Sequence, residues 1–183
     1  MHKLMTLTAA VLAGLFAGAA AAESPPVLMP LAEGNSWTYV SEDDPSVTRE
    51  AAVLESRTVD GETWYLYEEF GSGYWLRNVG AEQWQAVEEP DQEAPRQMLA
   101  LADPATAPDW YPYDGLVVEY EACEEPMTVP AGTFDCYIYT FEFGEGLSTR
   151  SVFAPGVGLI HNTFEEGAEI RAMVLRDYTL TER

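Results

Sequence analysis

Val129-Pro130-Ala131-Gly132-Thr133-Phe134-Asp135-Cys136-Tyr137-Ile138-Tyr139 is a tight corner followed directly by an alternating strand. Pro130 fixes its φ and removes a donor, and Gly132 permits the positive φ that a sharp reversal needs. From Thr133 onward the side chains alternate. Tyr137, Tyr139, Phe141 and Phe143 fall on one face, and Cys136, Ile138, Thr140 and Glu142 on the other. An aromatic row of that kind has to be covered, so the strand belongs to a sheet that closes over something. A second corner, Phe153-Ala154-Pro155-Gly156-Val157-Gly158-Leu159-Ile160, follows about twenty residues later and runs into another strand.

The same grammar holds over most of the chain. Strands are expected at 36–40, 48–59, 62–70, 74–79, 82–87, 116–123, 133–143, 147–153, 157–164 and 168–179. Asp60-Gly61, Gly71-Ser72-Gly73, Glu145-Gly146 and Glu166-Gly167 punctuate them as hairpin turns. Helical spacing is confined to the short stretch 97–101. Residues 102–113 carry prolines at 104, 108 and 112, which rules out a regular helix there. Residues 41–46 and 88–95 read as loops. In 62–70 both faces are apolar, with Trp64 and Leu66 opposite Tyr65 and Tyr67. A flat sheet with one wet side would not need that. The expected class is all-β: a single-domain antiparallel meander of about ten strands, folded as a curved sheet, a half-barrel or a sandwich.

The first residues read as a secretion signal. His2 and Lys3 precede an apolar run, and Ala20-Ala21-Ala22 supplies a small-residue cleavage pattern. Residues 1–22 are therefore expected to be a signal peptide and residues 23–183 one β domain, periplasmic or secreted. No later stretch reaches the roughly 20 apolar residues of a membrane-spanning helix. The formal charge of −22, from 31 acidic and 9 basic residues, repels nucleic acid phosphates and anionic lipid headgroups. Basic partners and cations remain compatible with it.

Chemistry-bearing constellations are sparse. His161 is the only histidine beyond the signal, and no Gly-x-Ser-x-Gly elbow accompanies it. One histidine and two spaced cysteines match no zinc pattern, and the ordered calcium-loop motif is absent. No catalytic residue, metal or cofactor is therefore assigned. Cys123 and Cys136 are the only cysteines, and an exported chain meets an oxidising compartment, so a disulfide between them is expected. In a simple hairpin centred on Ala131-Gly132, however, Cys136 would face Met127. A bulge or kink near Glu124-Glu125-Pro126 has to shift the register. Five tryptophans and ten tyrosines can either pack a core or line an apolar pocket. Trp64, Tyr137, Tyr139 and Phe141 are the candidate ligand-binding residues.

Three segments together, Pro30-Leu31-Ala32-Glu33-Gly34-Asn35-Ser36-Trp37, Val129-Pro130-Ala131-Gly132-Thr133-Phe134 and Ala154-Pro155-Gly156-Val157-Gly158, resemble a set of uncharacterised exported bacterial β-proteins in which such motifs recur in this order. More loosely, the chain resembles the half-barrels of lipoprotein carriers, which shelter acyl chains in an apolar concavity; their lid helices are not evident here. The resemblance implies a curved antiparallel sheet and transfers no catalytic residues. The expected function is an exported, non-enzymatic protein that binds an apolar or amphiphilic ligand in its concave face. The alternatives are an envelope protein-interaction or scaffold module, and a hydrolase with an unrecognised carboxylate site.

Overall fold

The computed structural model describes residues 27–91, 95–144, 146–166 and 169–181. The expected signal peptide lies outside the described residues. Among these residues there are fourteen strands: β1 (Ser36–Ser41), β2 (Thr48–Val59), β3 (Glu62–Glu69), β4 (Ser72–Val79), β5 (Glu82–Ala86), β6 (Gln97–Leu101), β7 (Trp110–Tyr113), β8 (Leu116–Ala122), β9 (Met127–Val129), β10 (Gly132–Phe134), β11 (Tyr137–Gly144), β12 (Leu147–Ala154), β13 (Gly158–Glu166) and β14 (Glu169–Thr179). Twelve form one antiparallel sheet in the order β6-β5-β4-β3-β2-β1-β14-β13-β12-β11-β8-β7, and β9 and β10 pair as a separate hairpin. The class is all-β, as the alternation implies, with more strands than the ten expected. Among the described residues no helix is long and apolar enough to cross a membrane.

The first and last strands of the sheet's chain path, β1 and β14, are neighbours. The sheet therefore opens in the middle of the sequence, between β6 and β7. There the curl brings the two edges together without a backbone ladder. Tyr111 Oη donates to Ala100 O at 2.6 Å, and Tyr113 Oη reaches Gln85 Oε1 at 3.0 Å. The result is a nearly closed barrel latched by tyrosine hydroxyls. Both edge strands are short, five residues in β6 and four in β7, which limits what another chain could pair with.

Three segments around this seam and its neighbour differ from the strand list read in the sequence. Residues 97–101, which carry helical spacing, form β6; pairing with β5, with a register shift at Gln83/Trp84, overrides a local pattern too short to nucleate a helix. Residues 110–113 form β7 despite Pro112, because an edge strand can spare the missing donor. Residues 133–143 are not one strand. The ladder breaks at Asp135-Cys136, so the Pro130-Gly132 corner closes the small β9–β10 hairpin instead of a main-sheet hairpin. The chain thus leaves the barrel after Cys123 and re-enters at Cys136, where Cys123 N donates to Cys136 O and a disulfide joins the two residues.

One end of the barrel, the base, is sealed. Residues 27–35 cross it with Leu28, Met29, Leu31 and Asn35 buried. Asn35 Nδ2 donates to Pro30 O at 2.9 Å, while its Oδ1 accepts from Thr181 N and Oγ1. The three sequence motifs meet here. Trp37 Nε1 donates to Val157 O at 2.7 Å, and its indole lies so close to Gly158 (φ 110°) that a Cβ there would come within 3.2 Å of it. Only glycine suits that backbone and that contact. Gly156 N donates to Val27 O, and Ala131 N, from the hairpin turn, to Leu175 O. Tyr139, fully buried, donates to Ala102 O at 2.8 Å and stacks on Tyr120 at 5.2 Å. Burial pushes its phenol, and that of Tyr111, well above the ordinary tyrosine value.

Candidate functional site

At the opposite end, the mouth, strands β1, β3, β5, β7, β11 and β13 end. Behind it lies a cavity of about 330 Å³, bounded below by Met29 of the plug and by residues of β3–β7 and β11–β13. At about 30 Å³ for each water, that is room for roughly ten water molecules. It falls at the small end of the range for ligand pockets.

Alternation decides what faces it. On β3, Tyr67 and Glu69 point inward; on β4, Tyr74 and Leu76; on β5, Gln83 and Gln85; on β11, Phe141 and Phe143; on β12, Thr149, Ser151 and Phe153. Ladder pairs place Tyr67 beside Tyr74, Phe141 beside Thr149, and Ser151 beside Asn162. Tyr113 and Phe141 meet edge-to-face at 5.7 Å. The walls are thus mostly aromatic and aliphatic. Phe143, at 45% exposure, marks the rim.

The polar groups are few and specific. Tyr67 Oη donates to Glu69 Oε1 at 2.9 Å. Burial pushes the Glu69 carboxyl above its ordinary value, and the Tyr67 hydroxyl pulls it partly back. Burial also pushes the Tyr67 phenol up, which keeps it a hydroxyl that can donate. Glu69 takes part in no salt bridge among the described residues. Gln83, only 5% exposed, has an amide Nε2 without a hydrogen-bond partner. Gln85 is engaged by Tyr113, and Asn162 Nδ2 donates to Ser151 Oγ at 3.0 Å. A buried amide nitrogen left without an acceptor costs about 1–3 kcal/mol. A half-buried carboxylate against an apolar wall, as at Glu69, is likewise unfavourable unless paired.

The residues singled out from the sequence are dispersed. Phe141 lines the cavity. Tyr139 belongs to the sealed core beneath it. Tyr137 stands lower still, beside the disulfide and facing a larger outer cleft of about 690 Å³ between residues 103–105 and 122–126. No unpartnered buried side chain of the described residues faces that cleft. Trp64 is on the wrong face for a concave ligand. Its neighbours in alternation, Tyr67 and Glu69, fix β3's inner side, and Trp64 lies outside under the guanidinium of Arg77, 5.2 Å from its ring. Arg77 in turn pairs with Glu62 at 2.7 Å. Glu69, Gln83 and Gln85 were not singled out. The available signal for Glu69 was its place on the same face as Tyr65 and Tyr67.

Two other sequence candidates sit outside the barrel. His161 adjoins Asn162, which points inward, so its imidazole is on the outer side, with Nε2 3.4 Å from Glu42 Oε1. In the 41–47 turn, Asp44 Oδ1 accepts from both Ser46 N and Ser46 Oγ. Among the described residues no group of three or more His, Cys, Asp or Glu is arranged to hold a metal ion.

No protein-family model and no curated protein matches the chain. Among solved structures, it is similar to a "putative lipoprotein" from Parabacteroides distasonis ATCC 8503 at 15% identity and a TM-score of 0.48, over 86% of this chain and 100% of that one. It is also similar to a "putative exported protein with YmcC-like fold" from Bacteroides fragilis NCTC 9343 at 12% identity and a TM-score of 0.49, over 85% of this chain and 100% of that one. Likenesses at this level assign no activity.

Proposed function

We propose that the protein is an exported, non-enzymatic binding protein that holds a small amphiphilic molecule in the cavity at the mouth of its barrel. One observation carries this reading: a hollow with aromatic walls retains an unpartnered buried amide at Gln83 and an unpaired carboxylate at Glu69. Packing for stability alone favours filling such space and replacing such groups with apolar ones. A ligand with an apolar body and a polar end would satisfy both features. Export is supported by the N-terminal sequence pattern and by the disulfide, which persists in oxidising compartments. The non-enzymatic part is supported by the placement of His161 on the outer side, away from the cavity hydroxyls of Thr149 and Ser151.

Calorimetric titration of the folded protein with 1-octanol, octylammonium and octanoate tests the reading. At least one should bind saturably. Thr149→Trp, which places an indole in the cavity opposite Phe141, should abolish that binding while the circular dichroism spectrum stays unchanged. Absence of saturable heat for all three probes overturns the reading.

A further inference from the structure

We infer that the ligand is a small organic cation, an alkylammonium-type group on an apolar body, received by the Glu69 carboxylate and the aromatic rings of the mouth. The inference rests on the cavity-binding reading above and specifies its chemistry.

Three observations point the same way. First, among the described residues the cavity is lined by one carboxylate, Glu69, and by no arginine, lysine or histidine. The Tyr67 hydroxyl engages one Glu69 oxygen and leaves acceptor capacity for a donor from a ligand. Second, the walls near the rim are aromatic. Tyr74, across the ladder from Tyr67, is joined there by Tyr113, Phe141 and Phe143. Ring faces attract a cation through their quadrupole, most strongly where water is excluded, and quaternary ammonium groups are recognised in such cages. Third, the molecule as a whole is strongly acidic, at −22. That field raises the concentration of cations around the molecule and repels anions of the same size, so a fatty acid or a phosphate is disfavoured before it reaches the cavity.

An ammonium entering the site also removes what makes Glu69 unfavourable in the empty protein. Its charge offsets the burial that lifts the carboxyl's pKa, and its N–H groups give the carboxylate a second partner. Gln83, deeper on β5, offers its free amide to an acceptor such as a hydroxyl or carbonyl on the ligand's body.

The test compares three probes of equal chain length on the same protein at neutral pH: octylammonium, 1-octanol and octanoate. Octylammonium should bind about tenfold or more tighter than octanol, the scale of a charge-assisted hydrogen bond, and octanoate should be weakest. In Glu69→Gln the preference over octanol should vanish while octanol binding persists. In Tyr67→Phe, which keeps the carboxylate, the preference should remain; this arm guards against a Glu69 variant that merely misfolds. Octanol or octanoate binding as tightly as octylammonium, or an undiminished preference in Glu69→Gln, overturns the cation assignment and leaves the cavity reading standing. No binding of any probe overturns both.

Discussion

At the base of the barrel, Leu31, Trp37, Tyr139 and Ala154 are sealed from solvent, and the indole and phenol donors end on backbone carbonyls. Toward the mouth, Phe143 is exposed and Glu69 is held by a single hydroxyl, and on the cavity floor beside the plug Gln83 is buried without an acceptor for its amide. The same twelve strands build both ends, so the contrast comes from what is laid across each. The base receives residues 27–35, the turn at 155–157 and the disulfide-linked excursion between Cys123 and Cys136; among the described residues no such segment crosses the mouth. The indole and phenol donors of the base are satisfied. The Gln83 amide and one Glu69 oxygen, both facing the cavity, are left for a ligand to complete, although the buried Trp64 Nε1 on the outer face also lacks a partner.

The contrast can be broken by mutation, and the largest effect belongs to the base. Trp37→Ala removes a buried indole, its bond to Val157 and its contact with Gly158, and should cost about 3–5 kcal/mol in chemical denaturation. The double change Cys123→Ser with Cys136→Ser opens a loop whose ends are 13 residues apart, and should cost about 3 kcal/mol. At the seam, Tyr111→Phe strands the buried carbonyl of Ala100 and should cost about 1–3 kcal/mol, with faster amide exchange in β6 and β7.

At the mouth the sign reverses. Burial raises the Glu69 carboxyl in the folded state, so the folded protein holds that proton more tightly than the unfolded chain does. The group's contribution to stability is therefore present at low pH and is lost as pH rises through its unfolded and then its folded value. Glu69→Gln should accordingly raise the melting temperature at neutral pH, and the gain should fade as the pH drops below the ordinary carboxylate range. Smallest of all, Phe143→Ala at the rim should change stability by no more than about 0.5 kcal/mol. A large loss there would mean that the mouth is packed like the base.

The corners that meet at the base were readable from the sequence because their signals are local, but the plug of residues 27–35 was not. A proline and a glycine at fixed offsets announce a corner, and alternation from Tyr137 to Phe143 announces an inner face. The meeting of Trp37 with Gly158 was not readable, but each residue already stood out in its own motif. The seam was hidden because β6 is short with misleading spacing and β7 contains Pro112. Register also hid the route of the chain between the cysteines, since only the loss of pairing at Asp135 brings Cys136 opposite Cys123. The cavity was hidden for a different reason. Whether an aromatic face is filled or hollow depends on how many strands close around it and on what plugs the ends, neither of which is a property of any one strand. Glu69 is one of 31 acidic residues, and only its alternation with Tyr67 separates it from the rest.

The most direct measurement is chemical-shift mapping of the backbone amides by solution NMR during titration with octylammonium. Shifts should be confined to the upper halves of β3 and β4, to Gln83–Gln85 and to Phe141–Ser151, with Leu31, Trp37, Tyr139 and Ala154 unmoved. Shifts centred on the base, on the outer face around Trp64, or nowhere at saturating probe would contradict a barrel that is sealed at one end and receptive at the other.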